Sequence, residues 1–187
     1  MTGSLDYEIN KELGECYLFM GELDKALEYY QKACSSNGTH ADPYLGLATI
    51  FIQQGELDKA YECYAKASQA EPENDKPYAG LGLLKAEQNQ AQEAMELFKK
   101  ALDLNPENVV ALYGLVQAGY VLKKVEEIIP YLENYLQLNP DNLEVRYTLA
   151  GCLYELKRWQ EAKEQLQEIL KLDPNNKDAL ELLEKIK

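Results

Sequence analysis

The hexapeptide Gly21-Glu-Leu-Asp-Lys-Ala26 recurs as Gly55-Glu-Leu-Asp-Lys-Ala60, and the two copies start 34 residues apart. Such a duplication is either a catalytic or ligand-binding motif used twice or the hinge of a unit that the chain repeats. The rest of the sequence decides between them. Pro72, Pro106, Pro140 and Pro174 are also 34 residues apart, and each is followed two positions later by Asn74, Asn108, Asn142 or Asn176. An unbroken period of this length marks a repeat architecture. It divides the chain into units 7–40, 41–74, 75–108, 109–142 and 143–176, with 177–187 left as a short terminal helix. The first unit ends irregularly, with Ser35-Ser-Asn-Gly-Thr-His40 in place of the proline and asparagine turn.

The second unit shows the internal logic. Tyr44, Leu47, Ala48 and Phe51 recur at helical spacing, Gly55 interrupts, and Ala60, Tyr64 and Ala67 resume the spacing before Pro72. This predicts two helices joined by a tight turn. Gly21 and Gly55 suit the left-handed backbone that ends a first helix, and Asp24 and Asp58 are expected to cap the second. Asn74, Asn108, Asn142 and Asn176 are expected caps for the next first helix, while Asp42-Pro43 offers the irregular junction a substitute start. Leu13, Leu47, Leu81, Leu115 and Leu149 fill one core position five times, and Ala26, Ala60, Ala94 and Ala162 mark where helix backbones approach. One helical pair cannot bury its apolar face alone, so the units are expected to stack into an all-α solenoid.

These residues resemble the tetratricopeptide repeat family, whose units carry aromatic, Leu, small, aromatic, Ala, aromatic, Ala and Pro positions in this order. The unit at 41 supplies Tyr44, Leu47, Ala48, Phe51, Ala60, Tyr64, Ala67 and Pro72, and the next departs from the pattern only at Lys85. The resemblance implies a right-handed α-α superhelix of five helix pairs with a C-terminal capping helix, its concave wall lined by the first helix of each unit. Members of the family act as scaffolds or peptide-binding modules. The fourth unit departs most, with Val116, Ile128 and Tyr135 at small-residue positions, Gly119 at the first-helix aromatic and Tyr120 displaced by one. Pro130 falls early in its second helix, where a mild local adjustment is expected.

Family geometry, carried over by register, assigns a peptide-binding groove to Leu83, Tyr113, Gln117, Tyr120, Val121, Tyr147, Tyr154 and Glu155, and an acidic groove portion to Glu8, Glu12, Glu15 and Asp42. The tyrosines offer large contact area at modest entropy cost, and the competing reading is that they complete packing between units. Gly46, Gly80 and Gly114 recur at one first-helix position, which leaves room either for a ligand backbone or for tight helix packing. Lys11 and Lys76 are too few to form the basic clamp with which some members hold a C-terminal carboxylate, so a partner with basic residues and apolar anchors fits better.

Composition narrows the remaining classes. The formal net charge of -13 weighs against binding to a nucleic-acid backbone, and no apolar run is long enough to insert in a membrane. Cys16, Cys34, Cys63 and Cys152 lie in apolar helical patterns without a CxxC, so buried, reduced thiols and a cytoplasmic location are expected. His40 is the only histidine, and the carboxylates recur as caps or polar faces, so neither a metal, nor a cofactor, nor catalysis is expected. The expected role is a noncatalytic module that binds a protein or peptide in its groove, with self-association into a homo-oligomer through solenoid ends or the convex surface as the alternative.

Overall fold

The structure, a computed structural model, describes residues 2–36 and 39–186. Met1, Asn37, Gly38 and Lys187 lie outside the described residues, and with them the middle of the irregular junction and the last position of the terminal helix. Among the described residues the chain is helical throughout, without a strand. Five pairs follow one another: α1 (Thr2–Phe19) with α2 (Leu23–Ser36), α3 (Asp42–Gln53) with α4 (Leu57–Ala70), α5 (Asp75–Glu87) with α6 (Ala91–Leu104), α7 (Val109–Leu122) with α8 (Ile129–Leu138), and α9 (Leu143–Glu155) with α10 (Trp159–Leu172). The single helix α11 (Lys177–Lys185) closes the series over α10. Helices pack on their neighbours in sequence, except that α7 packs on the 3-10 turn at Val125–Glu127 rather than on α8, and first helices also meet across units, α1 on α3 and α5 on α7. The architecture is the all-α solenoid with a capping helix that the repeat predicts.

The turn inside each pair is built the same way five times. Gly21 and Gly55 (φ 76°), Asn89 (61°), Lys123 (57°) and Lys157 (61°) all adopt the left-handed conformation. Just beyond them, the N–H groups of Glu22, Glu56, Gln90, Lys124 and Arg158 donate back to the carbonyls of Tyr17, Phe51, Lys85, Gly119 and Leu153 at 2.8–2.9 Å. This long back-bond satisfies a carbonyl at the helix end that would otherwise lack a partner. Between pairs, the side chains of Asn74, Asn108, Asn142 and Asn176 accept N–H groups of the next helix, as expected of caps. The expectation for Asp24 and Asp58 is corrected. Both lie one residue inside their helices, in the first turn, and α4 has no side-chain cap at all. There their carboxylates complement the positive end of the helix.

The recurring glycines resolve as packing. A Cβ on Gly82 would lie 2.6 Å from the Phe98 ring, and one on Gly114 would overlap the same ring. Phe98 is fully buried, so it is a wedge held between the first helix of its own unit and that of the next. Tyr30 is held in the same way between Gly14 and Gly46, and Tyr64 lies against Gly80. The glycines therefore make room for an aromatic ring of the protein itself.

The fourth unit uses other means. A Cβ on Gly119 would meet Ile128 at 2.5 Å, so the large and small residues of this contact have changed helices: elsewhere the second-helix position is alanine. Pro130 is accommodated at the start of α8, after a 3-10 turn at Val125–Glu127, where its missing N–H costs no helical hydrogen bond. The adjustment shortens α8 to 10 residues, against 14 in α4, α6 and α10. Asn139 and Asn142 still close the following turn, and the register continues.

Buried apolar residues form two clusters. One, around Tyr30, Leu47 and Ile50, belongs to the first two pairs. The other runs from Tyr78 through Phe98, Leu132 and Leu166 to Ile186. The seam between them falls at α4 and α5.

Candidate functional site

A concave pocket of about 280 Å³ opens at that seam, lined by Leu45, Thr49, Tyr64, Lys76, Ala79, Gly80, Leu83, Asn108 and Val110. Its walls are consecutive turns of three first helices, α3, α5 and α7, and the Tyr64 ring against Gly80 contributes part of its lining. Leu83, a predicted groove residue, is 46% exposed here, and Val110 is exposed beside it. Leu45, Ala79 and Val110 were not among the expected contacts. They occupy the same first-helix positions as residues that were, so the register alone could have found them.

The wall continues along α7. Tyr113 and Tyr120 are both exposed, Val121 is 72% exposed, and Gln117 is exposed between them. Burial raises the Tyr113 pKa, and the Glu144 carboxylate raises it further. The Tyr120 hydroxyl lies 3.6 Å from Cys152 Sγ in the next unit, and burial pushes its pKa far up. Tyr120 thus serves both readings, since its ring edge faces solvent while its tip packs between units. Tyr147 and Tyr154 are half-buried and rest against the large core cluster. Tyr154 meets Trp159 edge-on at 5.0 Å, and Glu155 beside it is exposed.

Carboxylates are exposed near both ends of the array. Glu8, Glu12 and Glu15 are exposed along α1, with Lys11 shared between Glu8 at 3.2 Å and Glu12 at 3.7 Å, and Asp42 is exposed at the start of α3. Tyr7, buried nearby, has its hydroxyl pushed up to about 12, first by burial and then by Asp42. At the other end, burial raises the Tyr147 hydroxyl and the carboxylates of Asp178 and Glu181 raise it further. Exposed apolar and aromatic side chains of α5 and α7 thus lie, along the array, between two sets of carboxylates.

Other chemistry has less support. Among the described residues no group of three or more His, Cys, Asp or Glu is placed to hold a metal ion. Cys34 is pushed up to about 11 by burial and the neighbouring Cys63, and burial raises Cys63 and Cys152 too, so these thiols stay protonated. The expectation of burial fails for Cys16, which is exposed on α1. His40 is exposed, with Nδ1 3.2 Å from Glu71 and its ring 4.8 Å from that of Tyr7. No helix among the described residues is long and apolar enough to cross a membrane.

A family model described as the Cilia and flagella-associated protein 70 C-terminal domain matches residues 4–184. Several solved structures are similar over most of the chain. One, described as the functional characterization of Pseudomonas aeruginosa pilF, aligns with a TM-score of 0.73 at 24% identity, covering 100% of this chain and 85% of that one. YrrB, described as a TPR protein with an unusual peptide-binding site, aligns at 0.67 and 19% identity, covering 92% and 89%. MamA aligns at 0.69 and 18% identity, covering 89% and 91%. At these identities the likeness is one of fold. No curated protein is significantly similar to the chain.

Proposed function

Because the chain belongs to the tetratricopeptide-repeat family of the cilia and flagella-associated protein 70 C-terminal domain, we propose that its concave face holds an extended peptide or short helix of a partner protein. As a repeat solenoid of this family it is a noncatalytic protein-interaction module. The observation that carries the finer reading is the apolar wall from half-buried Leu45 and exposed Leu83 through Val110 to Tyr113 and Val121, with carboxylates exposed towards both ends of the array. A partner that presents apolar side chains to the middle and lysines or arginines to the ends satisfies both features. Burial of one leucine-sized side chain there contributes about 1.5–3 kcal/mol, and the carboxylates contribute orientation and association rate. We place the module in the cytoplasm, where four unpaired cysteines remain reduced.

The test is binding to a peptide array, followed by titration of the best peptide against groove variants. Leu83→Glu is expected to weaken binding by about tenfold or more, and Tyr113→Ala by a smaller factor, with unchanged helicity by circular dichroism. Affinity is also expected to fall as salt rises from 50 to 500 mM, roughly as a partly screened charge contact would. Groove variants that bind a verified peptide as tightly as the parent would move the site elsewhere. The alternative, self-association through the solenoid ends or convex surface, predicts a molecular weight in sedimentation that rises with concentration.

A further inference from the structure

Gly151 is a glycine that packing does not explain. Gly14, Gly46, Gly80, Gly82, Gly114 and Gly119 each leave room for a side chain of the protein, which an added Cβ would strike at under 3.0 Å. A Cβ on Gly151 would meet only the Tyr120 hydroxyl, at 3.8 Å, an ordinary contact. Gly151 nevertheless lies in the interior of α9, where glycine is less favourable than alanine. At the same register position the other first helices carry Glu15, Thr49, Leu83 and Gln117. The missing side chain leaves a gap on the face where those units present one, and what surrounds the gap suits a cation.

Three tyrosines border it. Tyr147 and Tyr154 lie at i−4 and i+3 of Gly151 and so share its helix face, and Tyr120 reaches it from α7 with its hydroxyl. Tyr120 is exposed, the other two are half-buried, and Tyr154 is braced edge-on by Trp159 at 5.0 Å. Exposed carboxylates stand close by. Beyond burial and the Cys152 thiol, the charge of Glu155 raises the Tyr120 hydroxyl, and after burial those of Asp178 and Glu181 raise that of Tyr147. Among the described residues none of these three carboxylates is held in an ion pair. Aromatic faces attract a cation, and carboxylates add acceptors that only a cation with N–H groups can use. A guanidinium stacks flat on rings, forks onto a carboxylate and is less strongly hydrated than an ammonium. We propose that the gap at Gly151 is the subsite for an arginine side chain of the bound partner, stacked among Tyr120, Tyr147 and Tyr154 with its N–H groups turned to the surrounding carboxylates. This subsite rests on the groove reading, to which it adds a fixed place and a preferred residue for the basic part of the ligand.

The probe is Nα-acetyl-arginine amide, titrated into the full chain beside the lysine, trimethyl-lysine and citrulline derivatives, the last a neutral isostere. Trp159 is the only tryptophan, so its fluorescence reports on the Tyr154 side, while the amide resonance of Gly151 reports on the gap itself. The arginine derivative is expected to move both signals along one saturation curve, and each of the others to bind at least about fivefold more weakly. Gly151→Gln gives α9 the side chain that α7 carries as Gln117. It is expected to weaken arginine binding by about tenfold or more, with helicity by circular dichroism kept or raised. Tyr154→Leu and Glu155→Gln are each expected to weaken it by a smaller factor. Leu83→Glu, two units away, leaves the arginine response in place. An absent arginine response beside a verified peptide that Leu83→Glu weakens overturns the subsite and leaves the groove standing. A peptide indifferent to Leu83→Glu and the other groove variants overturns the groove itself. The subsite is also overturned by equal binding of the arginine and citrulline derivatives, by tighter binding of trimethyl-lysine, or by binding that ignores Gly151→Gln.

Discussion

The junction between α6 and α7 and the junction between α8 and α9 perform the same task with different side chains. At the first, Phe98 is driven between Gly82 and Gly114 and no solvent reaches it. At the second, the wedge position holds Leu132 and the facing position holds Thr148, 16 residues on, the same separation as from Phe98 to Gly114. Inside the fourth unit the exchange goes further, since Gly119 faces Ile128 where other units set a larger residue against alanine. Along the array a smaller wedge goes with a larger facing residue, so size is traded across the contact while the chemistry at any one position varies.

The largest expected effect tests the wedge itself. Phe98→Ala removes a ring with no exposed surface and is expected to lower unfolding free energy by about 3–5 kcal/mol in urea titration. Gly114→Ala is the opposite error, forcing a methyl into that ring, and is expected to cost about 1–3 kcal/mol. Volume compensation makes a sharper prediction. Gly114→Thr combined with Phe98→Leu copies the later junction, so the double variant should be more stable than Gly114→Thr alone, with a coupling of about 1–2 kcal/mol in a double-mutant cycle. Simple additivity would break the comparison.

The wedge between α2 and α3 can be read through pH. Burial, then Glu15 and Asp42, push the Tyr30 hydroxyl from 10.0 up to about 12. The folded state thus holds the proton where the unfolded chain has lost it. The stabilisation is complete below pH 10 and disappears as pH rises through 12, so stability falls across that window. Tyr30→Phe is expected to flatten this part of the urea-midpoint profile, and an unchanged slope would place the titration elsewhere. The smallest effects belong to the turns. Lys123→Gly and Lys157→Gly remove a side chain from a left-handed residue and should gain about 0.5–1 kcal/mol, whereas Gly55→Ala should lose about as much.

Much of this was legible in the sequence because a solenoid writes its fold as a period. The prolines and asparagines gave the junctions, and Gly21 and Gly55 the turns. The same turn at Asn89, Lys123 and Lys157 carries no glycine, and only the register betrays it. The aspartate caps were misread because Asp24 and Asp58 sit one residue past the helix start, a distance that boundaries inferred from spacing do not resolve. The role of Gly46, Gly80 and Gly114 was open although its signal was present: each follows an aromatic residue by 16 positions, and where the aromatic becomes leucine the glycine is gone. The candidate groove is a set of register positions. Which tyrosines turn towards solvent and which lean on the core depends on tip contacts such as Tyr120 with Cys152, which no local pattern reports.

Because each ring of the Phe98 kind grips two units at once, the array behaves mechanically as a row of interlocked teeth. Load applied to its two ends passes from tooth to tooth and yields where the tooth is smallest and the helix behind it shortest, at α8. Stretched in an optical trap, the chain is expected to open first between α8 and α9, and enlarging Leu132 to phenylalanine with Thr148→Gly should move that first rupture to another junction.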